Sequence, residues 1–401
     1  MDLKSGMPYS LIKNGLIYDY PMLETSLQTD VVVLGSGISG ALSAYYLAKA
    51  GIPCVVIDAR SIGLGSTCAS TSLLQYEIDV PLTELKHKIG YANAVRAYQL
   101  CGQAILKLQD IAGDVGFNDF QLKNSLYYAA TKKDVPFLKE EYQIRKENGF
   151  EVSFLNAEVI KSEYGFHAPG AILSQLGGQA DAYVFAHCLH QYNIKNGCKI
   201  FDRTKAVKIK HSRKGVKLKT DKGFVIEAKK LVYATGYEAA NFVHKKIVKL
   251  HSTYVTISEQ NTIINNFWKD DVLMWNTADP YLYMRTTHNG RILIGGRDEK
   301  FYNPEKRDKL INKKAKGLKN DFNNLFPDIP FNQQFNWAGT FGATPDGLPF
   351  IGPYKPLPNS YFALGFGGNG ITFSLIAAEI NCDLIMDKEN ADAKIFSFER
   401  V

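Results

Sequence analysis

The chain has 401 residues, enough for two domains of ordinary size, each with its own core. It carries a formal net charge of +7, but no segment has the Lys and Arg density of a nucleic-acid arm, and no apolar run is long enough to span a membrane. Its six cysteines show no CxxC and no regular framework, which excludes a disulfide scaffold and fits reduced thiols in a cytoplasmic protein with no evident signal region.

Residues 1–29 read as an irregular lead-in. Asp30-Val31-Val32-Val33-Leu34 is a β-branched run that feeds Gly35-Ser36-Gly37-Ile38-Ser39-Gly40, and a helix follows to about Ala50. Gly35 permits the tight turn, Gly37 lets the backbone approach a phosphate, and Gly40 lets helix and strand pack closely. Pro53 to Ile57 is a second buried strand ending in Asp58. An acidic side chain there accepts hydrogen bonds from an adenosine ribose. Gly63-Leu64-Gly65-Ser66-Thr67 comes next.

Amphipathic helices are predicted at 91–111 and 135–149, and a third at 183–196, where Gly197 stops it. His187 and His190 share one face of that helix, and no further ligand supports a metal. Residues 205–227 alternate apolar with basic residues, which predicts a β-meander with a solvated face. Lys230 to Tyr233 reads as a buried strand ending in Ala234-Thr235-Gly236. The chain is strand-like over 247–258 and 281–296, with Asn289-Gly290 as a hairpin turn. A helix suits 306–323. Trp337-Ala338-Gly339 precedes Thr344-Pro345-Asp346-Gly347, where Asp346 reads as a structural turn residue. The chain closes with a strand at 361–364, the run Gly365-Phe366-Gly367-Gly368-Asn369-Gly370-Ile371-Thr372, and a helix to about Met386.

As an ordered set, these motifs resemble the D-amino-acid-oxidase-like family of FAD oxidoreductases, which includes glycine oxidase, sarcosine oxidase and γ-glutamylputrescine oxidase. The lead-in Tyr20-Pro21-Met22-Leu23 is most similar to the last branch. The resemblance implies an α/β fold: a Rossmann-like FAD-binding domain interleaved with a substrate domain built on a mostly antiparallel mixed sheet. The FAD domain is expected to comprise 30–80, 160–245 and 335–401, and the substrate domain 81–159 and 246–334.

The resemblance also implies site residues. Gly35, Ser36, Gly37, Ile38, Ser39 and Gly40 would face the pyrophosphate. Asp58 would bind the ribose, with Ala59 and Arg60 beside the adenosine. Gly65, Ser66, Thr67, Ser70 and Thr71 would run toward the flavin. Val207 would meet the adenine, and Thr235-Gly236 would close over the AMP half. Gly367, Gly368, Asn369, Gly370, Ile371 and Thr372 would sit against the flavin pyrimidine edge, where a helix N-terminus stabilises the negative charge of reduced flavin.

The family reaction is C–N bond oxidation by hydride transfer to flavin N5, with oxygen or another electron acceptor completing the cycle. An amine or substituted amino acid is the implied substrate. The candidates for positioning it are Tyr281, Tyr283 and Arg285, which strand period two puts on one face. Glu77 and Asp79 are further candidates for the substrate side of the ring.

The sequence departs from the family pattern at four points, one of which is that Leu293 stands nearest the position of the sarcosine oxidases' oxygen-activating lysine, which leaves oxidase and dehydrogenase both open. The arginine of Trp-x-Gly-x-Arg, which clamps a substrate carboxylate, is Phe341 here. A second clamping arginine is replaced by Gly368. Gly339 stands where sarcosine oxidases tether flavin through a cysteine, so FAD is expected to be non-covalent, with Gly339 against it. Two alternatives stay open: oxidation of a 2-hydroxy acid, and flavin binding without turnover.

Overall fold

The computed structural model describes residues 1–243, 245, 247–261, 267–364 and 366–400, so Gly365 of the last glycine run lies outside the described residues. Two sheets organise the chain. In the first, the parallel strands Ser360–Leu364, Val225–Tyr233, Leu27–Leu34, Cys54–Ile57 and Lys199–Phe201 lie side by side in that order. Phe350–Pro353 adds an antiparallel edge. The continuous Val/Ile runs are explained by cover on both faces. Val31, Val33, Cys54 and Val56 pack with Ala44, Leu47 and Ile385 of the helices Ile38–Lys49 and Gly370–Ile385. Val32, Leu34, Val55 and Ile57 pack instead with Val216 and Leu218 of the meander.

The predicted meander and buried strand are one continuous unit. Val225–Tyr233 pairs with the hairpin strand Gly215–Thr220 at its start, runs parallel to Leu27–Leu34 from Ile226 to Tyr233, and adds Ser360–Leu364 on its other side only at its end.

The second sheet has ten strands. Its path runs Lys4–Gly6, Gln333–Ala343, Lys249–Ser258, Ile292–Glu299, Tyr283–Thr286, Leu273–Asn276, Gln121–Tyr128, Gly170–Gln179, Leu73–Gln75, and Val152–Asn156 branches from Gly170–Gln179. Among the described residues, only the pairing of Leu273–Asn276 with Gln121–Tyr128 is parallel in this sheet. Alternation gives each face a role. Tyr254, Met274, Met284, Ile294 and Ala338 form a core with Leu318 and Phe322 of the helix Pro304–Leu325. The neighbours Thr253, Val255, Trp275, Tyr283 and Gly339 face a cavity between the two sheets.

All three segments expected in the FAD domain, 30–80, 160–245 and 335–401, contribute to this second sheet, through Leu73–Gln75, Gly170–Gln179 and most of Gln333–Ala343. Local pattern locates a strand but not its partner. Likewise the lead-in is not wholly irregular. Lys4–Gly6 pairs with Trp337–Gly339, and Tyr9–Asn14 is a short helix.

The helix Ala182–Lys195 braces the first glycine loop. His190 is buried, and its Nε2–H donates to the Ser36 carbonyl at 2.9 Å, while Tyr20 Oη and His187 Nδ1 are 3.1 Å apart. Burial pushes both imidazoles down to about 4. Folding therefore favours the neutral rings: the stability they contribute is fully present above the ordinary value near 6.5 and is lost as pH falls toward 4. His190→Gln is expected to lower the melting temperature at pH 7.5, with a penalty that shrinks as the pH is lowered from 6.5 to 4. A penalty that grows over that range would contradict a neutral His190. Among the described residues, no cluster of His, Cys, Asp and Glu could hold a metal ion, and no helix is long and apolar enough to cross a membrane.

Candidate active site

A cavity of about 630 Å³ opens at the C-terminal ends of the parallel strands and runs beneath the open face of the ten-stranded sheet. Such a position, at a crevice outside the strand ends, is where open α/β sheets bind ligands. Its first end is built by the turn between Leu34 and the helix Ile38–Lys49. Gly35 takes φ +109°, and a Cβ there would lie 2.4 Å from the Ala234 carbonyl oxygen. Gly35, Gly37, Ile38 and Ser39 line the cavity. Gly37 caps the helix without a side-chain bond; the Ile38 N–H donates to the Thr67 hydroxyl at 3.1 Å, and the N–H groups that follow it in the first turn are left for a ligand.

Gly40 and Ser36 stand behind this lining. A Cβ on Gly40 would come within 1.9 Å of the Gly35 carbonyl oxygen, so Gly40 sets helix-to-turn packing. Ser36 donates to Asp58 Oδ2 through both its N–H and its hydroxyl, each at 2.8 Å, and the Arg60 N–H donates to Oδ1 at 2.9 Å. Burial raises the Asp58 carboxyl above its ordinary range. Asp58, Ala59 and Arg60 all line the cavity. The Arg60 guanidinium bonds both oxygens of Glu238, at 3.1 and 2.9 Å.

Gly65, Ser66, Thr67, Ser70, Thr71, Thr235 and Gly236 line the next stretch. Ser66 Oγ and Thr235 Oγ1 are buried there without a partner. Orphaned hydroxyls beside an uncapped helix N-terminus form a donor set suited to a pyrophosphate. Val207 lies outside the lining and is 55 % exposed, while Lys205 and Ala206 take that wall. The strand reaches the cavity through its first residues and then runs into solvent.

The far end begins at Gly367–Asn369, a single 3₁₀ turn before the helix Gly370–Ile385. Gly339 and every residue from Gly367 to Thr372 line the cavity. Asn369 is placed to cap the helix but does not. Its Nδ2 donates to the carbonyls of Gln75 at 3.0 Å and Glu77 at 2.8 Å. The helix N–H groups are thus left for a ligand, as the pyrimidine edge of a flavin requires.

Opposite lies an aromatic wall. Tyr281 and Tyr283 line it together, with ring centroids 5.8 Å apart. Arg285, although on the same strand face as Tyr283, lies outside the cavity lining. Its Nε donates to the Thr71 carbonyl at 2.6 Å and one terminal nitrogen to the Thr286 carbonyl at 3.0 Å. The guanidinium therefore holds the 70–72 segment that lines the cavity. Asp346 is structural: it takes two bonds from Arg400, at 2.7 and 3.1 Å, and one from the Leu348 N–H at 3.1 Å.

Sequence reasoning missed Trp275, Tyr237 and Asp298, all on the lining. Trp275 stacks on Tyr127 at 3.6 Å and meets Tyr281 edge-on. Asp298 is re-aimed by a bulge. Between Ser252 and Tyr254 the strand Ile292–Glu299 carries one extra residue, with Gly296 at φ +133° and Arg297 at φ +55°. Arg297 turns to Asp321, at 2.6 and 2.7 Å, and Asp298 turns to the cavity. Burial pushes the Asp298 carboxyl up to about 7. Gly295-Gly296 was the available signal, since a glycine pair inside a strand marks a bulge or a close approach.

Asp79 completes this end. Its surface opens into the cavity while protein surrounds the carboxylate elsewhere, and that desolvation raises its pKa. Oδ1 accepts from the Tyr281 hydroxyl at 3.2 Å, and Oδ2 from the Gly368 N–H at 2.7 Å.

The sequence matches the family described as DAO, FAD dependent oxidoreductase, over residues 30–384. It is 25 % identical over 400 residues to the γ-glutamylputrescine oxidoreductase of Escherichia coli K12, covering 93 % of this chain and 88 % of that protein. It is 24 % identical over 371 residues to the glycine oxidase of Bacillus subtilis 168, covering 90 % and 94 %. In fold it is similar to glycine oxidase from Geobacillus kaustophilus, with a TM-score of 0.79 at 19 % identity, over 92 % of this chain and 98 % of that one. L-proline dehydrogenase from P. horikoshii gives 0.78 at 20 % identity, over 94 % and 99 %. A glycine turn, a strand-end aspartate and two helix N-termini without a side-chain cap along one cavity agree with that match, and the chain belongs to the DAO family of FAD-dependent oxidoreductases.

Proposed function

We propose that this enzyme oxidises the C–N bond of an amine or substituted amino acid, with non-covalent FAD as the immediate hydride acceptor and oxygen or another acceptor completing the cycle. Its similarity to γ-glutamylputrescine oxidoreductase and glycine oxidase supports this reaction class. The observation that carries the reading is the character of the cavity's far end, where Trp275, Tyr281 and Tyr283 wall off a space that also holds Asp79 and Asp298.

FAD, when bound, supplies the site at N5 that takes the hydride. The chain's own work is positioning and exclusion of water. Tyr281 and Tyr283 present flat rings that orient a carbon–nitrogen bond. Arg285 fixes the 70–72 segment beside them. Among the described residues, the cationic side chains on the lining are Arg60 and Lys205, both at the adenosine end. A substrate carboxylate is best held by a cation, so this distribution disfavours a 2-hydroxy acid and, equally, a simple α-amino acid. Among the described residues, no cysteine or histidine lines the cavity, which supports a flavin held without a covalent tether.

The purified protein is expected to be yellow, and denaturation should release all of its flavin. Mixed anaerobically with a panel of amines, N-methyl amino acids, D-amino acids and hydroxy acids, it is expected to lose its visible flavin absorbance with amine-bearing compounds. Bleaching by hydroxy acids alone would overturn the reading.

A further inference from the structure

Both positions at which the family places carboxylate-clamping arginines lie on this cavity as Phe341 and Gly368. The space beside Gly368 is not simply empty of charge. A Cβ on Gly368 would meet Asp79 Oδ1 at 2.5 Å and the Tyr281 hydroxyl at 3.0 Å. An acid therefore occupies the direction in which an arginine would extend. The bulge at Gly296-Arg297 brings a second acid, Asp298, to the same cavity.

Asp298 Oδ1 is buried and has no hydrogen-bond partner, which points to a missing donor. The ring of Trp275, only 8 % exposed, lies on the same cavity wall. Aromatic faces beside carboxylates recognise ammonium groups through cation–π attraction and charge-assisted hydrogen bonds. The nearby cations are already committed. Lys314 bonds Glu299 and the Arg297 carbonyl at 2.5 and 2.8 Å, Lys300 pairs with Asp279 at 3.5 Å, and Arg297 pairs with Asp321.

We propose that Asp79 and Asp298, walled by Tyr281 and Trp275, form a cation subsite, and that the substrate is an amine carrying a second ammonium group in place of an α-carboxylate. This rests on the C–N oxidation proposed above. One nitrogen is presented neutral for oxidation, while the other stays protonated between the carboxylates. The pair desolvates together, so the orphaned Asp298 oxygen gains its partner only when a dication enters.

The test uses the flavin-loaded enzyme, with putrescine as the diamine probe, butylamine as the monoamine and γ-aminobutyrate as the carboxylate analogue. Putrescine is expected to half-saturate anaerobic flavin reduction at a concentration lower than butylamine by about tenfold or more, the factor a hydrogen bond to a charged group supplies. γ-Aminobutyrate should be the poorest. Asp298→Asn and Asp79→Asn should each collapse the putrescine-to-butylamine ratio toward one. A second measurement needs no turnover: tetramethylammonium should perturb the bound flavin's visible spectrum at concentrations where acetate does not, and Asp298→Asn should abolish that response. Equal use of butylamine and putrescine, or a stronger response to acetate, would overturn the cation subsite while leaving C–N oxidation standing. If no amine reduces the flavin, C–N oxidation fails, and the tetramethylammonium response decides the subsite alone.

Discussion

Replacing Arg145 with methionine is expected to destabilise the protein by about 3–5 kcal/mol, the cost of leaving buried charges without their partner. Arg145 is fully buried, with Glu77 at 3.3 Å and Glu141 at 2.8 Å, both also buried. Glu141 in turn accepts from the Leu82 and Thr83 N–H groups and the Thr83 hydroxyl, at 2.8 to 3.0 Å, closing the N-terminus of the helix Leu82–Ile89. The guanidinium also faces the rings of Tyr76, Tyr98 and Tyr127 at 5.8 to 5.9 Å. Methionine fills much of the volume but leaves two carboxylates unpaired. Their protonation recovers only part of the loss. Urea unfolding of Arg145→Met should show a strongly lowered midpoint, and adding Glu77→Gln and Glu141→Gln should restore part of it. A midpoint within experimental error of the wild type would show that Arg145 does not hold this core.

The second large effect is expected at Gly40, where even alanine should leave the protein without flavin. A Cβ placed 1.9 Å from the Gly35 carbonyl oxygen meets backbone that cannot move without opening the turn. Overpacking of this kind costs about 1–3 kcal/mol or more. Relief must come from a shift of the helix N-terminus, whose N–H groups we propose as the pyrophosphate donors. Gly40→Ala should therefore fold to a colourless protein, while Gly51→Ala, where a Cβ meets nothing within 4 Å but φ is +70°, should lose only modest stability and keep its flavin. Full flavin content in Gly40→Ala would contradict the role assigned to this turn.

The end of the cavity lined by the glycine turn was legible in the sequence because its determinants are local. A glycine turn, a strand-end acid and a helix start each occupy a few consecutive residues, and the strands Leu27–Leu34 and Cys54–Ile57 carry their burial as an unbroken apolar run. The aromatic end depends on pairings between distant segments. Trp275, Tyr283 and Val255 share one face because four strands, including the one that carries Gly295 between Tyr283 and Val255, align in one sheet. Asp298 faces the cavity only because a bulge adds one residue of register, which strict alternation does not anticipate. Arg285 shows the reverse: alternation places it on the correct face, yet the carbonyl of Thr71 captures its guanidinium. The absent arginines at Phe341 and Gly368 were visible at once, but not the acid that lies against Gly368, because Asp79 is 289 residues away in the chain.

Hydride removal from the carbon next to nitrogen is the central chemical claim, and isotopic substitution tests it most directly. The flavin-loaded enzyme, mixed anaerobically in a stopped-flow instrument with an amine deuterated at that carbon, is predicted to bleach several-fold more slowly than with the protiated amine, and to form one equivalent of imine-derived carbonyl product per flavin reduced. Bleaching at the same rate with both isotopologues, with no carbonyl product formed, would contradict it.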